Sequence, residues 1–589
     1  MKRFLTTSVS DCTRSKRPKL FKDANLVSAT SLYNYMLNDH VVDWIKYHNN
    51  PVFVSNKNFS NETYLMSQGI KFEKCVIEYI NKNIYTVEHV SQYINDTSVQ
   101  NTIKFMHEGK PIIHSAPVRN YKNGTQGIID LLVRSDYVNQ LCKGLYTEEN
   151  TKIYSPNLNK YYHYVVFDIK YSTLQLLKDG IHLSNCAKYQ AYKAQCYIYT
   201  QSIGDIQGYH CPYAYLIGRK TKYTEKGIQN WTNNFIDKFG QINFDKEDNY
   251  IIHKTDKALK WVNEVIHNGH NWNLTDNIRD ELYPNMSIDS GKYNKQKEII
   301  ADKLGEITQI WNLGIKHREI AFKKGIKSWR DKRCKSKNLN IKNVKKANII
   351  DKICNINRQD KTLIKPKKIY NNIYNWRQKT NEIFIDFETF SNIFDDFSQL
   401  PRSQNTDMIF MIGIGYTENN TFKYKHFLAE NNTIDEEYRI IDQFVAFYKS
   451  LGKPKIYNWV AEENFWIKST YKQFEIQTDN DRKENISKNW NIDEWCDLCH
   501  IFKSEPIVIK DCFNFSLKNI AKAMYKHNMI ETSLQSNTTN GMLAMIKAME
   551  IYKNDDNVSN NNVMKDIIEY NKFDCKVLWE ILTYLRNNH

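Results

Sequence analysis

Two short apolar runs, far apart in the chain, each carry two charged residues at alternate positions. They are Val-Val-Phe-Asp-Ile-Lys-Tyr at 165–171 and Ile-Phe-Ile-Asp-Phe-Glu-Thr at 383–389. Side chains two residues apart on a strand lie on the same face of a sheet. Strands this apolar are expected to be buried, where charges are costly unless they are paired or bind a metal. The two runs therefore predict two α/β domains, each with a charged site on a strand.

The size and charge of the chain agree with this division. Its 589 residues exceed what a single hydrophobic core usually holds, so we expect at least two domains. The hydrophobic fraction of 41% and the aromatic fraction of 13% argue against intrinsic disorder. The formal net charge of +16 favours a polyanionic partner, and nucleic acid is the expected one.

The sequence shows no apolar stretch of membrane-spanning length and no signal-peptide pattern, and its 12 cysteines are irregularly spaced. We therefore expect an intracellular protein with reduced thiols, in the cytoplasm, the nucleus, or a viral factory or virion. We expect it to be neither secreted nor attached to a membrane. None of these features predicts the oligomeric state.

Helical and strand patterns divide the chain into four segments. These are a basic disordered tail at 1–25, an α/β domain at 26–222, a helical connector at 223–375 and a second α/β domain at 376–589. In the first domain, strands are predicted at 111–114, 127–134, 163–171 and 212–218, and helices near 28–48, 67–82 and 186–202. In the second, strands are predicted at 383–388, 408–416, 421–428 and 455–459, and helices at 434–450, 462–473, 514–525 and 563–586.

The connector contains a candidate nucleic-acid contact. A helical pattern from Arg318 is followed by Gly325 and then by a second helical pattern up to Arg330. This arrangement resembles a helix-hairpin-helix, whose turn amides can hold a phosphate at a helix N-terminus. We assign Gly325 and Lys327 to nucleic-acid binding on that basis. Packing of a helical linker is the alternative.

Residues suited to phosphodiester cleavage follow one another through the first domain. The reaction needs a bound divalent metal, an activated water and relief of charge on the phosphate, and hard metals prefer carboxylate oxygens. The candidates are Glu73 on a helix, Asp130 in Gly127-Ile-Ile-Asp130 on a strand, Asp168 with Lys170 on the next strand, and Gln195 with Tyr199 one helical turn apart. Each alone is a common surface pattern, but the ordered set predicts a nuclease site.

This set resembles the PD-(D/E)XK nuclease superfamily, and within it the RecB-like branch, over about residues 26–222. The resemblance implies a restriction-endonuclease-like fold that uses Mg²⁺ or Mn²⁺. The metal-holding groups that it implies are Asp130, Asp168, the Ile169 carbonyl and Glu73. It also implies that Lys170 stabilises the transition state or orients the attacking water, and that Gln195 and Tyr199 position DNA.

Some RecB-like nucleases hold an iron–sulfur cluster with one early and three late cysteines. Here the early position reads Asn38-Asp-His, and Cys186, Cys196 and Cys211 lack the close spacing of such a ligand set. We therefore expect no iron–sulfur cluster.

The Asp386-Phe-Glu388 run has a counterpart at the far end of the chain, in Tyr570-Asn-Lys-Phe-Asp574. Residues i and i+4 share a helical face, so Tyr570 and Asp574 are predicted to project together from the last helix. Between the two runs, a predicted strand leads into a helix at Glu462 and sets a carboxylate at the junction.

These residues resemble the DEDD exonucleases of the ribonuclease H-like fold, of the YprB-like type. The order in that family is Asp-x-Glu, Asn-x-x-x-Asp and Tyr-x-x-x-Asp. The ligands implied for two Mg²⁺ or Mn²⁺ ions are Asp386, Glu388, Glu462 and Asp574. Tyr570 would orient the attacking water. Asn458 and Glu462 take the middle position with Glu in place of Asp, and Glu463 is the neighbouring alternative.

The two domains together resemble a family of predicted bifunctional nucleases found in prokaryotes and, with this Asn-, Lys- and Tyr-rich composition, in giant DNA viruses. The resemblance implies a metal-dependent hydrolase that cleaves phosphodiester bonds of nucleic acid, expected to be DNA, in repair, recombination or replication. Two alternatives stay open. One is an RNA exonuclease acting through the C-terminal domain only, and the other is a catalytically weak nucleic-acid-binding scaffold. The sequence leaves open the polarity of cleavage and whether both sites are active.

Overall fold

The computed structural model describes residues 26–48, 61–359, 361–404, 406–419, 421–460, 462–533, 541–554 and 557–589. The tail predicted at 1–25 lies outside them. The described residues divide into two compact units. The first comprises the chain up to Leu37 with Glu73–Asn268 and Leu400–Arg402, and the second comprises Asn38–Phe72, Gly269–Gln399 and Ser403–His589. Within these residues, no helix combines the length and the apolar character needed to cross a membrane.

Both units mix strands and helices, as expected for α/β domains. The strands are β1 (Val27–Ser28), β2 (Val87–His89), β3 (Ile112–Asn120), β4 (Thr125–Arg134), β5 (Tyr164–Gln175), β6 (Tyr213–Glu225), β7 (Ile228–Thr232), β8 (Gly240–Asn243), β9 (Ile364–Lys365), β10 (Glu382–Phe390), β11 (Met408–Glu418), β12 (Thr421–Leu428), β13 (Lys455–Asn458), β14 (Trp495–Asp497) and β15 (Val508–Ile509). The helices are α1 (Tyr33–Met36), α2 (Val41–His48), α3 (Asn61–Asn83), α4 (Asp96–Glu108), α5 (Val138–Leu141), α6 (Glu148–Thr151), α7 (Ala187–Gln207), α8 (Tyr250–Asn268), α9 (Asn294–Leu304), α10 (Ile315–Lys323), α11 (Val344–Arg358), α12 (Ile434–Ser450), α13 (Glu462–Ile476), α14 (Asn480–Asn489), α15 (Leu498–Ser504), α16 (Leu517–Lys526), α17 (Gly541–Asn554) and α18 (Asn562–Asn588).

The first unit is built on a sheet with the strand order β2-β3-β4-β5-β6-β7, in which β1 also pairs with β4 and β8 with β6. β4 and β5 are antiparallel, whereas β5 and β6 are parallel and are connected through α7. The apolar start of β5 is buried in this sheet, including Val165 and Phe167. The ladder between β4 and β5 runs up to the pair Leu131 and Phe167. Asp130 and Asp168 directly follow that pair and are therefore neighbours.

The segment predicted to be helical from residue 223 begins with strands instead. β6 continues to Glu225, and β7 and β8 complete the first sheet before α8 begins. The chain up to Asn268 belongs to the first unit. β7 lacks the alternation of buried and exposed residues that marks a half-buried strand. Its run Ile-Gln-Asn-Trp-Thr also shows no alternation of apolar and polar side chains, so the sequence does not indicate a strand there.

The second helix predicted after Gly325 does not form. α10 ends at Lys323, and residues 326–343 form turns before α11 begins. The helix-hairpin-helix prediction is therefore wrong. Long-range contacts hold these turns, because the Arg358 guanidinium donates hydrogen bonds to the carbonyl groups of Trp329 and Cys334 within them.

The second unit contains a five-stranded sheet in the order β12-β11-β10-β13-β14. β12, β11 and β10 are antiparallel, and β10, β13 and β14 are parallel. Ile383 and Ile385 of β10 enter one hydrophobic core, and Phe384 enters the other. β10 is therefore covered on both faces. Asp386 and Glu388 continue along the face of Phe384 and point into the interior.

The C-terminal helix α18 packs against β10 and β11. Its apolar residues Val577, Leu578 and Ile581 share the core that contains Phe384. This packing fixes the preceding turns of α18 beside the charged face of β10. The helix thus serves both to close the core and to deliver polar side chains to Asp386.

Candidate functional sites

Asp168 of the first unit is fully buried and is held by two side chains. Its Oδ2 atom is 2.7 Å from the Lys170 ammonium, two residues along β5. Its Oδ1 atom accepts a hydrogen bond of 3.2 Å from Gln195 Nε2 on α7. A carboxylate held by an ammonium on one oxygen and an amide on the other is fixed in orientation. The prediction that Asp168 and Lys170 share a face is confirmed by this contact.

Two further carboxylates belong to the same cluster. Asp130 Oδ2 accepts a hydrogen bond of 2.7 Å from the Ile169 amide, and Glu73 lies near enough for its charge to act on both aspartates. Burial, followed by the charge of Asp168, raises the pKa of Asp130 well above its usual range. Burial opposes the charge of Lys170, but the two aspartates outweigh it and raise the pKa of this ammonium. Lys170 therefore stays charged within the cluster.

A histidine that the sequence analysis did not single out joins this cluster. His114 on β3 places Nε2 3.2 Å from Glu73 Oε1, and its Nδ1 atom is 3.1 Å from Nδ1 of His89. The two histidines face each other in the parallel register of β2 and β3. An imidazole in this position orients the carboxylate it contacts. The pairing of β2 with β3 is not visible in the local sequence.

Gln195 and Tyr199 lie beneath the cluster, with both side chains buried. Gln195 Nε2 lies 3.1 Å from the Tyr199 hydroxyl, in addition to its bond with Asp168. A Cβ added at Gly127 would approach the Tyr199 ring to 2.5 Å, so this glycine makes room for the tyrosine. That Gln195 and Tyr199 position DNA stays a prediction. In the structure Gln195 holds Asp168, and Tyr199 contacts Gln195.

In the second unit, Asn571 links the two charged residues of β10. Its Nδ2 atom donates to Asp386 Oδ2 at 2.8 Å and lies 3.4 Å from Glu388 Oε1. Its Oδ1 atom accepts a hydrogen bond of 2.9 Å from the Tyr424 hydroxyl. Asn571 lies inside the predicted Tyr-x-x-x-Asp run, but its own side chain was not expected to take part. The contact depends on β10, β12 and α18 meeting, which no local pattern encodes.

Gly413 on β11 leaves the space that Asn571 fills. A Cβ built there would lie 1.6 Å from Asn571 Oδ1, so Gly413→Ala must displace the amide. We expect this variant to lower the free energy of unfolding by about 1–3 kcal/mol, because buried polar groups lose their partners. Chemical denaturation measures the change. Gly69→Ala on α3, where a Cβ meets nothing within 4 Å, is the control and should be neutral or stabilising. Equal losses in both variants would contradict the packing described.

Glu462 joins the second site from the start of α13. Asn458 Nδ2, at the end of β13, donates to Glu462 Oε2 at 3.0 Å, and both side chains are buried. The charge of Glu462 adds to burial in raising the pKa of the other three acidic residues of the site. Glu463 is exposed. Of the two alternatives left open by the sequence, Glu462 is thus the one that faces the cluster.

Asp574 enters the site from α18 together with Tyr570, whose hydroxyl hydrogen-bonds to it. Asp574 Oδ1 is buried, and no hydrogen-bond donor reaches it from the described residues. Lys518 of α16 lies 4.7 Å from the centroid of the Tyr570 ring. Its charge opposes the effect of burial on the pKa of Asp574. Lys518 is a second residue of this site that the sequence analysis missed.

The carboxylates of the second site repel one another. Burial, with the charge of Asp574, raises the pKa of Asp386 well above its usual range and that of Glu388 to about 8. Burial also raises the pKa of Asp574 to about 6. Such shifts mark negative charge that the surrounding side chains do not neutralise. Clustered carboxylate oxygens, one of them without a donor, fit a hard divalent cation such as Mg²⁺ or Mn²⁺.

The four carboxylates of the second site nevertheless do not converge on one position where a metal ion could bind. Among the residues that the structure describes, no three acidic, histidine or cysteine side chains form a group that could hold a metal ion. Mutual repulsion keeps like charges apart, and Asn571 bridges Asp386 and Glu388. The expectation that four carboxylates share one coordination shell is therefore not met.

Lys327 and Gly325, predicted to bind nucleic acid, are engaged in local contacts. The Lys327 ammonium is 2.6 Å from Asp280 Oδ1 and 3.9 Å from the centroid of the Phe322 ring. The Gly325 carbonyl accepts a hydrogen bond from Arg333 at 3.0 Å. With the predicted second helix missing, the assignment of both residues to phosphate binding loses its basis.

Residues 383–586 match a family model described as the RNase_H superfamily. The match runs from β10 to α18 and includes all four carboxylates of the second site. The C-terminal part of the chain therefore carries a ribonuclease H-like domain, as the sequence predicted. Domains of this kind are in general nucleic-acid hydrolases that use divalent metals. No curated protein and no solved structure matches the chain.

Proposed function

We propose that this chain is a metal-dependent nuclease with two separate sites for phosphodiester cleavage. The observation that carries the proposal is the gathering of four acidic residues within the ribonuclease H-like domain, three of them buried and Asp386 partly buried. They come from β10, α13 and α18, which lie far apart in sequence. Burying several like charges is unfavourable unless a cation is bound there in function.

In the second site, the residues proposed to hold Mg²⁺ or Mn²⁺ are Asp386, Glu388, Glu462 and Asp574. When bound, the metal supplies charge neutralisation and lowers the pKa of water. Tyr570 orients the attacking water, since its hydroxyl already bonds to Asp574. Lys518 lies beside the same residues and stabilises negative charge that develops on the phosphate. Asn571 fixes the two acidic residues of β10.

In the first site, the chemistry proposed is that of the RecB-like PD-(D/E)XK nucleases. Asp130 and Asp168 are the proposed metal ligands, and Glu73 with His114 completes the set. Lys170 is the cation that stabilises the transition state. Support comes from the contacts of Lys170 and Gln195 with Asp168, which reproduce the grouping implied by the resemblance.

We propose DNA as the substrate, and repair, recombination or replication as the setting, because the first site resembles DNA nucleases. One observation favours a second candidate. The family match covers residues 383–586, which contain the second site and none of the residues of the first, and this suits an RNA exonuclease acting through the second site only. Cleavage of end-labelled single- and double-stranded DNA and RNA, with Mg²⁺, Mn²⁺ or chelator, decides between them. Failure to cleave any of the four substrates with either metal would overturn the proposal and leave a binding scaffold.

Substitution of each glutamate tests the proposal that Glu462, and not Glu463, is the metal ligand. Glu462→Gln removes a charge from the cluster and should lower cleavage by the second site about 10²-fold or more, as expected when a group that stabilises the transition state is lost. Glu463→Gln is the matched control and should leave cleavage unchanged, because that side chain is exposed. Initial rates on an end-labelled substrate measure both. A loss confined to the Glu463 variant would reverse the assignment.

A further inference from the structure

The turns that join α10 to α11, together with the first turn of α11, carry most of the net positive charge of the chain. Residues 323–346 contain eleven lysine or arginine residues and a single acidic one, Asp331, which gives a net charge of +10 against +16 for the whole chain. The proposed reactions at the two acidic sites use none of these residues. Like charges gathered on one short segment repel one another, and a bound polyanion relieves that repulsion.

These basic residues face solvent because apolar residues between them anchor the segment. Trp329, Cys334 and Leu339 are buried in the core that contains Phe384. Ten of the eleven basic residues are exposed, and Lys327 is partly buried. We call the ten exposed residues the basic surface.

Few acidic residues neutralise the basic surface. Arg333 pairs with Asp331, whose carboxylate lies 2.7 Å from the guanidinium. Among the residues that the structure describes, no acidic side chain forms an ion pair with the following six lysines: Lys332, Lys335, Lys337, Lys342, Lys345 and Lys346. Their charges are therefore available to an anionic partner.

The start of α11 adds to this positive charge. Its N-cap residue Asn343 accepts a hydrogen bond of 3.0 Å from the Lys346 amide. The first turn of the helix contains Lys345 and Lys346 and no acidic residue. The N-terminus of a helix is itself positive, so lysines there oppose the helix dipole, whereas a phosphate bound there is stabilised by it. The two lysines therefore suit a bound anion and not the isolated helix.

Contacts from α11 fix the turns that carry the other lysines. Asp351 accepts hydrogen bonds from the amide and the hydroxyl of Ser336, each of 2.7 Å. The Arg358 guanidinium donates to the Cys334 carbonyl at 2.8 Å. Lys335 lies between these two anchored residues, so its backbone is held in one position. A surface fixed in this way loses little conformational entropy when a ligand binds.

The lysines of the turns and those of α11 can share one stretch of a nucleic-acid backbone. Lys345 precedes Asp351 by six residues of α11, which rise about 9 Å along the helix axis. Asp351 in turn contacts Ser336, which lies between Lys335 and Lys337 in the chain. A duplex carries one phosphate for about every 1.7 Å of its axis, so several phosphates fall within this distance.

The segment offers charge but no exposed ring. Its one aromatic residue, Trp329, is buried. Proteins that hold single strands stack the unpaired bases on aromatic side chains. Lysines that contact phosphates instead bind the backbone whatever its base sequence. The basic surface therefore fits the closely spaced phosphates of a duplex better than it fits an unpaired strand.

We propose that the basic surface binds the phosphate backbone of double-stranded nucleic acid without reading its sequence. The inference rests on the proposed function for the choice of nucleic acid as the polyanion. Lys335 and Lys337 contact the backbone from the turns, and Lys345 and Lys346 contact it from the start of α11. The surface thus gives the chain a hold on duplex segments that is separate from both acidic sites.

The test measures binding of a fluorescent duplex of about 20 base pairs to the full chain in chelator, over a range of salt concentrations. The probes are DNA and RNA duplexes and each of their strands alone. The variant carries four changes: Lys335→Gln, Lys337→Gln, Lys345→Gln and Lys346→Gln. We expect it to weaken duplex binding about 10-fold or more at low salt, and to weaken binding of the single strands less. The slope of log affinity against log salt concentration should fall by about 3–4, because each phosphate contact contributes about 0.9.

Thermal melting separates a loss of binding from a loss of folding. The four-lysine variant should melt at the temperature of the wild type or higher, since the lysines that it removes from α11 oppose the helix dipole. A lower melting temperature would contradict the description of this helix N-terminus. The matched control removes four exposed lysines elsewhere in the same unit and should keep the affinity of the wild type: Lys449→Gln, Lys453→Gln, Lys488→Gln and Lys553→Gln.

Equal affinity of the wild type and the four-lysine variant for the duplex overturns the proposal, as does an equal loss in the control variant. A loss as large on the single strands overturns the assignment to duplex. Vesicles of phosphatidylserine and phosphatidylcholine present another polyanion, and a wild type that binds them but no duplex overturns the choice of nucleic acid. Lysine-dependent duplex binding by a chain that cleaves nothing upholds the basic surface and removes the proposed nuclease function.

Discussion

Asp386→Asn is expected to lower metal-dependent degradation by the second site by about 10³-fold or more, while the first site continues to cleave. Loss of one group that stabilises the transition state typically costs about 10²–10³ in rate, and Asp386 would also be a metal ligand. The change keeps the shape of the side chain and its place beside Asn571. Initial rates on an end-labelled strand, with Mg²⁺ and with Mn²⁺, measure the loss.

Asp386→Asn should lower the cleavage rate without lowering the stability of the fold. The folded-state pKa of Asp386 is raised, first by burial and then by Asp574, so ionisation of this carboxyl weakens the fold as pH rises above its unfolded value. At neutral pH Asp386→Asn removes that cost and should leave the melting temperature unchanged or higher. Asp566→Asn, at an exposed position of the same helix α18 as Asp574, is the control and should alter neither quantity. A variant that is inactive and also less stable would show loss of folding, contrary to the account.

Asp168→Asn and Lys170→Met form the second test, because these two side chains are an ion pair in the first site whose carboxylate is fully buried. Each single change should lower cleavage by that site about 10²-fold or more. Lys170→Met should also lower the free energy of unfolding by about 3–5 kcal/mol, since it leaves the Asp168 carboxylate buried without its cation. Asp168→Asn should leave that free energy unchanged or higher at neutral pH, because burial raises the pKa of Asp168 and its ionisation therefore weakens the fold. The double variant should regain much of the stability and none of the activity.

Lys178→Met, at an exposed position that follows β5, is the control for the removal of a lysine and should be neutral. Denaturant unfolding and cleavage of an internally labelled duplex give the two readouts. If the double variant is as unstable as the sum of the single ones, the pair is not coupled. If it cleaves normally, the pair has no part in catalysis.

The sequence predicted those helices and strands in which apolar residues recur with a clear helical or strand period. β12 lies at the predicted 421–428 and α12 at the predicted 434–450. α12 combines an apolar face with an N-cap threonine, Thr433, which accepts from Glu436 N. α14 was missed because Ile486 alone is buried among its ten residues. β14 was missed because it has only three residues.

The acidic residues on the strands of both sites could be found from sequence, because carboxylates are uncommon on apolar strands. Those on helices were found through the order of residues in the families that the chain resembles. The groups that orient them could not. Asn571 bridges two residues of β10. Lys518 lies beside the Tyr570 ring, and His114 contacts Glu73. Each of these contacts joins elements that are distant in sequence, so no spacing rule points to it.

Two separable, metal-dependent cleavage sites are proposed for this one chain. The most direct test is the cleavage of a duplex, labelled at one end and internally, by the wild type, Asp168→Asn, Asp386→Asn and the double variant. We predict that each single variant loses one mode of cleavage and keeps the other, and that the double variant is inert with Mg²⁺ and with Mn²⁺. Undiminished metal-dependent cleavage by the double variant would contradict the account.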